Sequence, residues 1–235
     1  MISVIFADGT WSRPGARSIP GEALRQILDP KRFVFEYVKY PSSFGLATGV
    51  RDVSYAESVA VGSRAMAAAV RDTPHPAIVA GYSQGAAVAV NFARDLPKYP
   101  ALDVRAVATM GDPHTPVHDG RGGIAGALTV PRKRLTVWAD GDPIADLPLG
   151  SPARGVADMS RWMSAASPEA ARAWAYKTAQ ELPTKAQRWW EPWRWPDIAR
   201  APEDLRNYLG TAHTLDYVSH GHVRRLARMI EEVAG

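Results

Sequence analysis

Ala77-Ile78-Val79-Ala80-Gly81-Tyr82-Ser83-Gln84-Gly85-Ala86-Ala87 is the stretch that decides the fold. Four apolar residues in a row read as a strand buried on both faces. The small residues that follow (Ala86, Ala87, Ala89) read as a helix packed closely on a sheet. Between them, Gly-X-Ser-X-Gly describes a sharp strand-to-helix turn. Such a turn crowds the backbone two positions before and two after the serine, so Gly81 and Gly85 are the residues it demands. It also exposes the central hydroxyl on a rigid support, which makes Ser83 a candidate nucleophile.

Outward from this turn, short apolar or β-branched runs alternate with helical patterns to about residue 140, the pattern of βαβ units and a parallel sheet. Residues 3–7, 33–38, 77–81, 104–109 and 135–139 are predicted strands, and 21–28, 55–71 and 84–96 are predicted helices. The fold class is α/β: a mostly parallel central sheet between helical layers. After Pro148 strand signals vanish, and prolines divide an Ala-, Arg-, Glu- and Trp-rich region into helical pieces. Residues 1–150 and 210–235 are read as the core and 151–209 as a helical cap inserted into it. A last amphipathic helix is expected over 220–233, with Val223, Leu226, Met229, Ile230 and Val233 on one face.

Composition excludes several classes. With 235 residues, 46% of them hydrophobic, the chain can bury one substantial core and carry an elaboration on it. It has no cysteine, so disulfides and thiolate metal sites are ruled out. The net charge of +4 comes from scattered basic residues, with no run longer than Arg132-Lys133-Arg134, and nucleic acid is not an expected partner. The N-terminus lacks the basic and apolar regions of a signal peptide and reads as a first strand, and no transmembrane segment is expected. His114 and His118 have a spacing that could suggest a metal site. Pro113 and Pro116 argue against a helix that would put both on one face, so they are read as loop residues, and no metal or cofactor is expected.

A serine nucleophile on this fold needs an acid past a later strand and a histidine near the C-terminus, in that chain order. Residues 135–139 end in Asp140-Gly141-Asp142-Pro143-Ile144-Ala145-Asp146. Asp142 is preferred because Gly141 permits a tight turn, with Asp140 as a turn cap and Asp146 as a solvated residue. Among His213, His220 and His222, His213 is preferred. It lies in a loop that can project over the strand ends, whereas the other two read as the first turn of the last helix. The oxyanion requires two backbone donors: that of Gln84, after the nucleophile, and one from Asp8-Gly9-Thr10-Trp11-Ser12, with Thr10 preferred. Trp11 and Tyr82 flank these positions and are read as substrate-binding. Trp189, Trp190, Trp193 and Trp195 could together line an apolar groove in the cap, with Arg188 and Arg194 at its rim.

Four segments carry a family likeness: Gly9-Thr10-Trp11, Tyr40-Pro41, the Gly81 to Gly85 elbow, and Gly141-Asp142 followed by His213 and Tyr217. They resemble the cutinase-like serine esterases of the α/β-hydrolase superfamily, in particular the lysin B family of phage mycolylarabinogalactan esterases. Gly111-Asp112-Pro113 also looks like this family. The resemblance implies Ser83, Asp142 and His213 as the triad and Thr10 and Gln84 as the oxyanion hole. Fungal cutinases hold the acid loop with a disulfide and keep acid and base close in sequence. This chain does neither, and a helical linker between the two is a lysin B feature.

The function expected is hydrolysis of a long-chain carboxylic ester. The lysin B likeness implies the ester between mycolic acid and arabinogalactan. It also implies synthesis in a host cytoplasm and action on the envelope after release at lysis. Three rivals differ in substrate or class: a lipase or polyester esterase, a mycolyltransferase, and a non-catalytic envelope-binding or phage structural module.

Overall fold

The predicted strands pair into one sheet. In the computed structural model, which describes residues 1–185 and 211–235, it comprises β1 (Ile2–Ala7), β2 (Phe33–Tyr37), β3 (Ala77–Tyr82), β4 (Val104–Met110) and β6 (Lys133–Val137). All pairings are parallel, in the order β2-β1-β3-β4-β6. A small antiparallel pair, β5 (Arg121–Gly122) with β7 (Leu147–Pro148), stands apart from it. The alternation of side chains along a strand divides the core into two layers. Val4 and Phe6 of β1, with Ile78 and Ala80 of β3, pack against α1 (Ile19–Ile27) and the C-terminal helix, whereas Ile5, Ala7 and Val79 face α2 (Tyr55–Asp72) and α3 (Gln84–Arg94).

Ser18 caps α1 by accepting from the Gly21 amide, and Ser54 caps α2 by accepting from Glu57. Beyond the sheet, α4 (Ala153–Ser160) packs on α5 (Pro168–Lys185), and then come the short α6 (Asp216–Ser219) and α7 (His222–Ala234). Val223, Leu226 and Ile230 of α7 are fully buried, and Met229 and Val233 pack beside them. Full burial of such a side chain stabilises by roughly 1.5–3 kcal/mol, enough to fix the helix on the sheet.

Two boundaries differ from expectation. The last strand starts at Lys133, because Lys133 to Val137 are the residues in register with Ala106 to Met110; Trp138 and Ala139 have already left the sheet. The C-terminal helix starts at His222, because Gly221 takes a left-handed conformation (φ +77°) and separates it from α6. His220 therefore lies between two helices.

The order of strands locates the site. From β1 the chain moves outward to β2, then crosses back to β3 on the other side of β1. Loops leaving the carboxyl ends of β1 and β3 diverge there and open a crevice, the place where open α/β sheets bind ligands. These loops contain Thr10 and Ser83. No helix among the described residues is long and apolar enough to cross a membrane.

Candidate active site

Ser83 sits at φ +55°, ψ −122°, a conformation that costs a non-glycine residue about 1–3 kcal/mol. The surroundings enforce it. A Cβ on Gly81 would lie 2.1 Å from the Gly85 carbonyl oxygen, and one on Gly85 would lie 1.9 Å from that of Ala7. Only glycine at both positions lets α3 leave β3 so abruptly while touching β1. The Ser83 amide donates to the Met110 carbonyl at 3.0 Å and ties the turn to β4.

Across the strand ends, His213 brings Nε2 to 2.8 Å from Ser83 Oγ, and its Nδ1 lies 2.9 Å from both oxygens of Asp142. A carboxylate can only accept, so Nδ1 carries the hydrogen and Nε2 presents its lone pair to the serine. Asp142 is fully buried. Its oxygens also accept from the Ile144 amide at 2.9 Å and the Tyr217 hydroxyl at 2.5 Å. Burial, reinforced by the charge of Asp142, pushes the Tyr217 pKa well above the usual tyrosine value and keeps the hydroxyl a donor. Asp140, by contrast, is exposed.

The reading of Asp146 as solvated is corrected. It is buried, accepting from the Gly141 amide at 2.7 Å, from Arg121 Nε at 2.8 Å and facing His118 Nε2 at 2.9 Å. The His118 ring in turn stacks on Trp138. Asp146 therefore closes the turn that carries Asp142, holding it to β5 and the end of β6 without a covalent link.

Tyr82 also supports the histidine. It borders the cavity but is 5% exposed, with its ring stacked on His213 and its hydroxyl donating to the His213 carbonyl. It positions the imidazole from beneath, because the strand period aims it into the layer under the histidine loop. Trp11 is exposed at the cavity mouth, with φ +66°.

The loop after β1 approaches the serine closely: a Cβ on Gly9 would stand 3.3 Å from Ser83 Cβ. Asp8, which sequence reading missed, organises this loop. Its buried carboxylate accepts from the amides of Gly9 and Ser18, both at 2.9 Å, and its carbonyl accepts from the Tyr40 hydroxyl. The Trp11 amide donates to Ser42 and that of Ser12 to Gly9. The Thr10 amide has no such partner among the described residues. The Gln84 amide, first in α3, has no intrahelical carbonyl to reach. The Gln84 side chain is occupied elsewhere, donating to the Ser43 carbonyl at 2.8 Å.

Ser83, His213, Thr10 and Gln84 open into a mainly apolar cavity of about 1040 Å³. Ile124, Leu128 and Ile144 line it from the core, and Ala153 and Ala157 of α4 from the segment after residue 150. His220 and His222 lie outside it. His114 lines its wall, and His118 belongs to the Asp146 cluster. Trp189, Trp190, Trp193 and Trp195, with Arg188 and Arg194, lie outside the described residues.

Comparison with known proteins bears on the family and the fold. The family model described as Cutinase matches residues 1–160. No curated protein matches the chain by sequence. Among solved structures, lysin B from Mycobacteriophage D29 is similar at 19% identity and a TM-score of 0.52, covering 90% of each chain. The catalytic core of acetyl xylan esterase from Trichoderma reesei is similar at 21% identity and a TM-score of 0.49, covering 79% of this chain and 95% of that one. At such identity the lysin B likeness speaks for the fold, an α/β-hydrolase sheet with its helical layers.

Proposed function

This chain belongs to the cutinase family of serine carboxylic ester hydrolases, and from that premise we propose that it cleaves long-chain esters through Ser83, His213 and Asp142. The observation that carries this reading is the unbroken hydrogen-bonded path from a buried carboxylate through an imidazole to a hydroxyl at the wall of a large apolar cavity.

His213 Nε2 removes the Ser83 proton as Oγ attacks the ester carbonyl. Asp142 holds the imidazole in the required tautomer and stabilises the imidazolium that forms. Negative charge on the tetrahedral oxygen is met by the Gln84 and Thr10 amides, each such donor being worth about a hundred- to a thousandfold in rate. His213 then protonates the departing alcohol, and water, deprotonated by the same imidazole, releases the acid. Because Tyr217 and the Ile144 amide already occupy Asp142, the carboxylate keeps one orientation throughout the cycle.

For the physiological ester, we propose the bond between mycolic acid and arabinogalactan in a mycobacterial-type envelope, attacked during phage lysis. Two features support it. The lysin B fold aligns with this chain along most of its length, and the segment after residue 150 adds the α4 wall to the cavity. The helical segment 151–209 acts as a cap in this reading. Incubation with mycolyl-arabinogalactan and, in parallel, with a triacylglycerol tests it by identifying the released acid. Release of mycolic acid by the native chain and not by Ser83→Ala is the expected result. Release from the triacylglycerol alone replaces the proposal with a general lipase.

A further inference from the structure

The two arms of the oxyanion site come from different elements. Thr10 lies in the loop after β1, and Gln84 opens α3. Among the described residues no hydrogen bond joins residues 9–12 directly to residues 83–85. They touch through glycines, Gly9 against Ser83 and Gly85 against Ala7. Such contact sets how near the arms come and leaves open how each amide is aimed.

A third segment joins them. Tyr40, Ser42 and Ser43 lie in the connection between β2 and α2. The Tyr40 hydroxyl donates to the Asp8 carbonyl, and the Ser42 carbonyl accepts from the Trp11 amide at 2.9 Å. These two bonds bracket Thr10 along the chain. The next carbonyl, that of Ser43, accepts from Gln84 Nε2 at 2.8 Å. Gln84 Oε1 accepts from the Ser58 hydroxyl of α2 at 3.4 Å, and that hydroxyl oxygen accepts from the Ser43 amide at 3.2 Å. The Ser43 hydroxyl donates to the Val53 carbonyl at 3.1 Å and ties the segment to the start of α2.

Two features set this segment apart from an ordinary connection. Ser42 is buried at φ +52°, a backbone conformation that favours glycine. A residue persists there when its surroundings over-determine it, and such residues cluster at catalytic centres. Gln84 stands in the first turn of α3 yet is buried, although glutamine is mostly an exposed residue. Both ends of its carboxamide have partners, as burial requires.

We propose that Ser42 and Ser43 are positioning residues of the oxyanion hole, their adjacent carbonyls setting the separation of the Thr10 and Gln84 amides. The two carbonyls belong to consecutive residues, so neither arm can shift without pulling on the other. On the α3 side the link is the Gln84 side chain, which fixes the residue whose own amide meets the developing charge. The effect falls on the transition state, because the ester oxygen takes up its negative charge only as the tetrahedral intermediate forms. Displacing a donor therefore lowers kcat and leaves KM alone. This inference rests on the esterase reading and adds to it what aims the oxyanion donors.

The test is Gln84→Met, which keeps the backbone amide and the length of the side chain and removes both of its polar contacts. On p-nitrophenyl butyrate kcat should fall by roughly ten- to a hundredfold, less than for a missing donor, with KM changed by less than about twofold. Phenylboronic acid supplies a readout that a merely structural role would leave unmoved. Its adduct with Ser83 is tetrahedral and places an oxygen in the hole, so its inhibition constant should rise by the factor by which kcat falls. A second pair of variants covers the case in which Gln84→Met does not fold. Ser42→Gly keeps both carbonyls and suits the positive φ, so most of the native kcat should remain. Ser42→Thr keeps the hydroxyl but puts a β-branched residue where φ is positive, so kcat and boronate affinity should fall together. Native kcat in Gln84→Met, a loss of kcat with native boronate affinity, or equal behaviour of the two Ser42 variants overturns the proposal. A native chain inert toward both the ester and the boronic acid sinks the esterase reading itself, and the proposal with it.

Discussion

Ser83 is held by contacts that its own eleven-residue neighbourhood supplies: a strand, two glycines and a helix start, closed against β1 and β4. Asp142 and His213 lie 71 residues apart in the chain and have no such local frame. Their loops are held by side chains from elsewhere. Tyr217 and Asp142 meet beneath the histidine, Tyr82 stacks on the ring, and Asp146 ties the acid turn to Arg121, His118 and the Gly141 amide. The nucleophile is thus fixed by steric exclusion and the acid–base pair by directional bonds. Steric exclusion is all or none, whereas a set of hydrogen bonds can be weakened one at a time. Substitutions on the two sides should therefore behave differently.

The largest effect should come from Ser83→Ala, which removes the nucleophile and one hydrogen bond to His213. Its kcat on a p-nitrophenyl ester should fall about a millionfold, with a melting temperature close to native, because the elbow's geometry belongs to its glycines. A large drop in melting temperature would show that the hydroxyl supports the fold and would blur the contrast.

Asp142→Asn should lower kcat by about ten thousandfold. The amide can keep the shape of the turn yet favours the wrong histidine tautomer. An intermediate loss of about tenfold would mean that the imidazole is oriented mainly by Tyr82 stacking.

Graded behaviour is sharpest at Tyr217→Phe. Asp142 retains the Ile144 amide and His213, so one of three bonds is lost. Stability should fall by about 1–2 kcal/mol in urea titration, and kcat by roughly tenfold with KM little changed. A loss as large as that of Asp142→Asn would make the tyrosine indispensable and break the distinction between the two sides.

Asp146→Asn should have the smallest effect. Arg121 is about a third exposed, so solvent screens its pairing, and about 1 kcal/mol of stability and a two- to fivefold loss of kcat are expected. Native activity and melting temperature would remove Asp146 from the support of the acid loop.

The same contrast explains which residues were legible in advance. The elbow, the five strands and the apolar face of the last helix rest on short-range periodicity and on steric needs that only glycine meets. Three aspartates in one turn look alike in sequence, and Asp142 was preferred through the neighbouring glycine. What separates it from Asp146 is which partners arrive from β5 and from α6. Tyr82 reads as a substrate contact because it adjoins the nucleophile, and its further role of stacking on His213 depends on a residue 131 positions away. Asp8 left a usable signal, a carboxylate followed by glycine at the end of a strand.

Sequence alone determines that this chain builds a parallel α/β sheet with a serine on a strained turn, because period, residue size and backbone sterics act over a few neighbours. Tertiary structure alone decides which carboxylate is buried beside which imidazole, which amides remain unclaimed and what the cavity wall offers. Desolvation and hydrogen-bond geometry depend on groups brought together from distant parts of the chain, and no local pattern encodes their distances.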